Sequence, residues 1–355
     1  MAYNGTNPVS VGDKTLKSHY DRAFDNTVAN NARLDAMDLT AARLWLLGVI
    51  PSLSDQTIST TDDFTCVHCI GSEAMICDTT QSRYSSTCGK TFGAAVVVGG
   101  FTTIRDVVSN SDGSQWVVVG NPSGTNGIAY SSNDGTSWTG VSSASVNISG
   151  VCYSGTTYVC VGDTGVIYSS TNGTSWTSRT AAGTPANITF YDVCWSPSLS
   201  LFIAVGVDTT GGSHTEIQTS TDGTTWTART AATTAAAFGV SEVDFGSSTY
   251  IIAIGTSGEI QYSANGTDWV IHPQSGLFSG LLTSIVATNT GAIITNGATK
   301  VAAILSISQL SDFSAVPSAN IDTNAALGYS AQCGVMAVGS NGSISKSYPY
   351  LTTGL

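Results

Sequence analysis

One seven-residue segment recurs four times and dictates most of what this chain can become. It is read first as Ser132-Asn133-Asp134-Gly135-Thr136-Ser137-Trp138, then as Ser170-Thr171-Asn172-Gly173-Thr174-Ser175-Trp176. It returns as Ser220-Thr221-Asp222-Gly223-Thr224-Thr225-Trp226 and as Ser263-Ala264-Asn265-Gly266-Thr267-Asp268-Trp269. Asp-Gly or Asn-Gly between alternating residues signals a hairpin, because both central positions of a type I′ turn need positive φ. The pattern therefore predicts a tight two-residue turn, with the tryptophan at a fixed place on the outgoing strand.

Before each turn lies an apolar strand ending in glycine: Trp116–Gly120, Tyr158–Gly162, Phe202–Gly206 and Ile251–Gly255, with Val335–Gly339 in the same series. Earlier still come Asp106-Val-Val, Gly150-Val-Cys-Tyr153, Asp192-Val-Cys-Trp195 and Glu242-Val-Asp-Phe245. Four antiparallel strands per repeat is the unit of a β-propeller blade. Asp112-Gly113-Ser114-Gln115-Trp116 imitates the turn but aligns with the first hairpin of a blade, so Trp116 belongs to a second strand.

Degenerate copies extend the series at both ends. Phe92 stands where later blades carry Trp138, Trp176, Trp226 and Trp269, Phe313 marks a sixth unit, and Tyr348 or Tyr350 a seventh. The expected fold is thus all-β, a seven-bladed propeller over residues 52–355, with six or eight blades left open by the eroded ends. A solenoid that stacks the same units in a line is the alternative, less suited to four strands per unit.

Residues 1–51 are different. They hold five acids and five bases, while the rest of the chain holds 19 acids and 7 bases, so the whole formal charge of −12 lies in the propeller. Tyr20, Phe24 and Val28 recur every four residues, and Leu34, Met37, Ala41 and Leu44 follow at coiled-coil spacing. Ser18 with Asp21 resembles a capping box, and Gly48 with Pro51 is a stop signal. A helix over 19–47, about 43 Å long, has an apolar stripe that needs a cover. Sister copies, a docking partner or the chain's own body would each provide one; an oligomerising anchor is the favoured reading.

Composition removes several function classes. Only 10% of residues are charged, against roughly 25% in ordinary soluble domains. So acidic a chain suits neither nucleic-acid phosphates nor anionic lipid. The longest apolar stretch, Leu44–Ile50, is too short to cross a bilayer. Met1-Ala2-Tyr3-Asn4 does not read as a secretion signal, and eight cysteines are too few for a disulfide scaffold. The chain reads as made in a cytoplasm.

The S-x-[DN]-G-T-x-W turns resemble the Asp-box repeats of sialidases, other propeller glycosidases and many non-enzymatic propellers, with a turn one residue tighter. That likeness implies fold rather than chemistry. The segment Asn7-Pro-Val-Ser-Val-Gly-Asp-Lys-Thr-Leu-Lys-Ser-His-Tyr-Asp-Arg-Ala-Phe-Asp-Asn26 resembles the opening of tail and head fibres of tailed bacteriophages, which continue into a helix and a distal domain. It implies a virion protein whose first fifty residues attach to head or tail proteins, with Tyr20, Phe24, Leu34, Met37 and Leu44 as the anchor stripe. Sister copies and a host-surface glycan or protein are the other expected partners. An internal tail-tip or nozzle subunit is the alternative, and an Asp-box glycan hydrolase the third reading.

A sialidase-like site needs arginines converging on a carboxylate. The propeller has only Arg83, Arg105, Arg179 and Arg229, and the last two share one repeat position. Asp106, Asp192 and Glu242 align at one inner-strand position and could face the channel as a hydrolytic pair. Capping of backbone groups is the commoner role, and no catalytic residue is assigned. Cys66-Val-His-Cys69 with Cys77 and Cys88 resembles a zinc knuckle in spacing only, with buried thiols or a blade-stapling disulfide the favoured readings. Cys152 and Cys194 read as core residues. His19, His68, His214 and His272 form no constellation, and no cofactor is expected. The long Asp208–His214 insertion is a candidate contact surface.

Overall fold

The computed structural model describes residues 56–57 and 62–346, except 125–126, 133, 142–144, 211, 247, 274, 276–279, 290, 297–299, 307–308 and 314–325. The chain divides into two compact units, Met1–Leu46 and Leu47–Leu355. The expected N-terminal helix and its stripe, Tyr20, Phe24, Leu34, Met37 and Leu44, lie outside the described residues, as do Tyr348 and Tyr350.

The described residues form seven four-stranded antiparallel sheets. Six are each one continuous stretch of chain, numbered here as blades 1 to 6. Their inner strands are Cys66–Ile70, Phe101–Ser109, Ile148–Tyr153, Ile188–Ser196, Ala237–Asp244 and Leu282–Thr288. The remaining sheet is composite: Ala326–Ser330, Gly334–Val338 and Ser343–Lys346 are completed by Gln56–Thr57, which pairs with Ser343 and Ile344. Its outer strand thus comes from the beginning of the propeller unit, not from the Tyr348 region the repeat count suggested. Joining an early and a late strand of the propeller unit in one sheet closes the ring of sheets.

Each inner strand neighbours the inner strands on both sides, and those of blade 1 and the closing sheet also meet. The sheets form a ring, which excludes the stacked solenoid and establishes a β-propeller. Side-chain alternation explains why the second strands are apolar throughout. In Leu201–Asp208, Phe202 and Ala204 pack toward blade 3 with Val161, Ile167 and Trp226. Ile203 and Val205 pack the other way, with Val240, Ile251 and Trp269. The core is therefore a set of wedges between blades. Trp116 is fully buried in the second strand of blade 2, edge-on to His68 and Tyr84.

The repeated turn is wider than the two-residue hairpin its sequence suggests. In blade 3 the last cross-strand pair is Ser169 with Thr177. The Asn172 side chain accepts the N–H groups of Thr174 (3.0 Å) and Ser175 (2.9 Å), and Ser170 Oγ accepts that of Gly173 (2.9 Å). Asp222 and Ser220, then Asn265 and Ser263, repeat this network. Among the described turn positions only the glycine takes positive φ, Gly173 at 69°. Side-chain acceptors replace the strained backbone of a type I′ turn, and the serine and Asp/Asn recur for that reason. The tryptophans Trp138, Trp176, Trp226 and Trp269 each stand just before the outer strand and pack on the preceding blade.

Candidate functional site: the central channel

Each sheet's inner strand turns one edge toward the ring's axis, and together they line a cavity of about 790 Å³. That lies within the range of about 300–1,000 Å³ usual for small-molecule sites. The geometry of its wall follows from a repeated irregularity.

In blades 2 to 6 the inner strand carries an extra residue at one shared place that breaks register with the second strand, and blade 2 has a further one at Thr102. The bulged residues at the shared place are Arg105, Ser149, Tyr191, Phe238 and Thr283, and all five line the cavity. Bulges re-aim a side chain at the cost of ladder bonds, and they collect near sites. The glycine ending the second strand is part of the same device. A Cβ at Gly206 would strike the carbonyl oxygen of Thr189, pressed against it by the bulge. The recurring glycine is visible in the sequence, but its meaning for the facing strand is not.

The residue after each bulge forms a second ring: Asp106, Gly150, Asp192, Gly239 and Ser284 in blades 2 to 6. Asp106 accepts the N–H groups of Val107 and, in the next blade, Val151, both at 2.8 Å. Asp192 accepts those of Val193 (2.7 Å) and, in the next blade, Val240 (2.8 Å). Ser284 Oγ accepts the N–H of Leu327 in the closing sheet at 3.2 Å. Acceptor residues thus alternate with glycine from blade to blade. At Gly150 a Cβ would stand 3.0 Å from the Cα of Asp192, so the small residue keeps adjacent blades close.

Glu242 does not belong to this ring, which corrects the sequence alignment. It pairs with Ile251, three residues beyond Gly239, the true counterpart of Asp192. Its carboxylate instead takes the hydroxyls of Ser196 and Ser198 and the Ser198 N–H, pinning the first hairpin of blade 4. Burial raises Asp106 to about 7 against the pull of its two N–H donors. Burial, reinforced by Asp106, raises Asp192 to about 8.

The other candidates disperse. The side chains of Cys66 and Cys69, three apart on one strand, face opposite ways. Cys66 sits with Cys77, its cross-strand partner, between blades 1 and 2, and Cys69 sits toward the closing sheet. Cys88 is in a disulfide with Cys333, Cα atoms 4.8 Å apart, which ties blade 1 to the closing sheet. The four thiols of the zinc-like spacing therefore do not meet, and no cluster of three or more metal-ligating side chains occurs among the described residues. Burial raises the Cys152 and Cys194 thiols well above their usual value; Cys152 is buried in the wedge between blades 3 and 4, whereas Cys194 is only half-buried, and both line the cavity. Burial likewise lowers His68 to about 4.

Nor do the arginines converge. Arg83 pairs with Asp62 at 2.8 Å. Arg179 and Arg229 each bind a third-strand hydroxyl at 2.8 Å, Ser169 and Thr219 respectively. Arg105 donates Nε–H to Asn121 at 2.7 Å and is exposed at the channel. The Asp208–His214 insertion is a hairpin between the second and third strands of blade 4, held by Thr210 N–H on Asp208 (2.7 Å) and by His214 Nε2 against Thr210 O (2.7 Å). No helix among the described residues is long and apolar enough to cross a membrane.

The sequence matches no family model and no curated protein. The fold has clear relatives among solved structures. Virginiamycin B lyase from Staphylococcus aureus superposes with a TM-score of 0.64 at 9% identity, over 82% of this chain and 98% of the lyase. The RRP9 WD40 repeats give 0.64 at 10% identity, over 82% and 96%. The WD40 propeller domain of Doa1 gives 0.59 at 13% identity, over 83% and 96%. Identities this low speak for architecture alone: the chain is an all-β propeller of four-stranded blades.

Proposed function

We propose that this chain is a structural, non-enzymatic protein of a tailed-bacteriophage particle. Residues 1–51 would anchor it to head or tail proteins and assemble sister copies, with the propeller turned outward for adhesion to the host surface or for decoration. The observation that carries the reading is the P-V-S-V-G-D-K-T segment at residues 8–15, with the charge-neutral, striped stretch behind it. The channel adds support from the chemical side. Asp106 and Asp192, its best-placed carboxyls, are both occupied by backbone donors of neighbouring blades, and Glu242 is occupied by serines. A hydrolytic pair would need at least one carboxyl free for a proton or a sugar carbon.

The test is deletion of residues 1–51 from the phage-encoded protein. The expected result is a propeller that still folds yet is missing from purified particles. A truncated protein that still loads onto particles, or a full-length protein absent from them, would overturn the reading. An internal tail-tip or nozzle subunit is the alternative, and antibody against the propeller separates the two: it labels intact particles only if the propeller is displayed. Release of reducing sugar from host glycans would favour the hydrolase instead.

A further inference from the structure

We propose that the central channel is a binding site for a neutral sugar, such as the end of a glycan, held on the Tyr191–Phe238 aromatic pair, with Arg105 in the same ring of bulges. The proposal deepens the adhesion reading above and rests on it for its biological sense. Its first support is the variation within the bulge ring. The bulges repeat in all five blades, and the glycine that accommodates them in blades 2 to 5, but the residue aimed inward is Arg, Ser, Tyr, Phe and Thr in turn. A purely structural position in a repeat would tend to repeat its side chain, as the neighbouring Asp–Gly alternation does.

The second support is geometric. Tyr191 and Phe238 lie nearly parallel, centroids 4.2 Å apart at 17°, and both are only half-buried in the cavity wall. Stacking covers one face of each ring, and their half-burial leaves the remaining ring surface to a cavity whose wall is mixed polar and apolar. No hydrogen-bond partner for the Tyr191 hydroxyl occurs among the described residues. Burial and the Asp163 charge push the Tyr191 hydroxyl above its usual value, and the Arg105 charge partly offsets them. Ser149 adds a hydroxyl nearby on the ring.

The class of ligand follows from this mixture. A hydroxyl-rich ring with an apolar carbon face matches a flat aromatic surface flanked by planar donors and hydroxyls. A quaternary ammonium would suit the aromatics but not the guanidinium in the same ring.

Saturation-transfer NMR on the full chain, with free glucose, galactose and N-acetylglucosamine as probes, tests this. Transfer from aromatic protons to at least one sugar is expected, with affinity falling at least about tenfold in Tyr191→Ala and in Arg105→Gln. Val270→Ser on an exposed outer strand should leave it unchanged. Should Tyr191→Ala fail to fold, Tyr191→Phe keeps the stack and removes only the hydroxyl, and it must still weaken binding. No transfer to any of the three sugars, undiminished binding in folded Tyr191 and Arg105 variants, or preference for a trimethylammonium probe overturns the proposal. Particle loading is scored separately, so sugar binding without loading would sink the virion reading and leave this site standing.

Discussion

The Asp192 carboxylate accepts the backbone N–H of Val240, a residue of the following blade, at 2.8 Å. Asp106 does the same for Val151. The inner strand of a propeller has an unpaired edge, and these two carboxyls cover part of it while stitching blade to blade. Asparagine puts an amide nitrogen that cannot accept where the aspartic side chain, ionised or protonated, keeps acceptor capacity on both oxygens. Asp192→Asn should therefore leave either Val193 or Val240 N–H without a partner, a loss of about 1–3 kcal/mol, read as a lower melting temperature.

The same pair predicts a pH dependence. Both carboxyls are raised in the folded protein, to about 7 and about 8, above the ordinary unfolded value of about 3.9. The folded state therefore binds more protons between those limits, and stability falls as pH rises through them. Melting curves should show the protein losing stability from about pH 4 to about pH 8 through these groups. In Asp192→Asn the slope should flatten, so that the gap to the parent narrows in alkali. A parallel pair of curves would show that Asp192 does not titrate in this range.

The turn tryptophans look alike in sequence but not in bonding. Trp138 Nε1–H donates to Ser82 Oγ of blade 1 at 3.0 Å, and Trp176 Nε1–H to Gly173 O at 2.9 Å. The buried Nε1 of Trp226 has no partner among the described residues. Replacing Trp138 by Phe should cost about 1 kcal/mol beyond the change in packing. Trp226→Phe should cost less than Trp138→Phe, since it removes a polar atom that burial leaves unsatisfied. Trp226→Ala should cost about 3–5 kcal/mol, because the ring fills the wedge between blades 3 and 4. Thermal melts of the three variants rank these outcomes directly.

The blades, their strand order and the misleading status of Trp116 are legible because each rests on local pattern: alternation, turn residues and a glycine at a fixed offset. The channel is not. Asp106, Asp192 and Glu242 look equivalent because each is followed by valine, yet cross-strand register sets Gly239 opposite Ile254 as Asp192 is opposite Val205, three residues before Glu242. Register is a property of strand pairs, so a single extra residue is invisible until the partner strand is known. Tyr191 and Phe238 are 47 positions apart and meet only because consecutive blades stand side by side. The turn type is hidden for a different reason. Asn-Gly is ambiguous between a backbone turn and a side-chain-capped one, and the serine two residues before the Asp or Asn decides it.

The disulfide between Cys88 and Cys333 spans 245 positions, a separation no spacing rule would single out. It lies between blade 1 and the part of the closing sheet built from Ala326–Ser330, Gly334–Val338 and Ser343–Lys346, far along the chain from blade 1. Cross-links over long loops stabilise mainly by restricting the unfolded chain, typically by about 2–5 kcal/mol for a native bond. Reductant should lower the melting temperature of the parent and leave Cys88→Ser unaffected. A parent whose melting is insensitive to reductant would mean that this bond does not hold the ring.

Asp222, Asn172 and Asn265 share one place in the turn and one set of backbone bonds, so the charge on Asp222 is not what the turn requires. The Thr224 hydroxyl and the N–H groups of Thr225 and Thr224 hold that carboxyl well below its usual range. The stability this shift brings is present above the unfolded value of about 3.9 and is lost as pH falls below it. Asp222→Asn should thus be within about 0.5 kcal/mol of the parent at neutral pH. Asp222→Ala should cost about 1 kcal/mol, because it removes the acceptor itself. In acid the order of parent and asparagine variant should reverse, since the amide oxygen keeps accepting where the protonated aspartic acid holds its donors less firmly. Urea titrations at neutral and acid pH distinguish the cases. If the asparagine variant were as damaged as the alanine one, the turn would depend on charge, and the equivalence of the Asp-Gly and Asn-Gly repeats would fail with it.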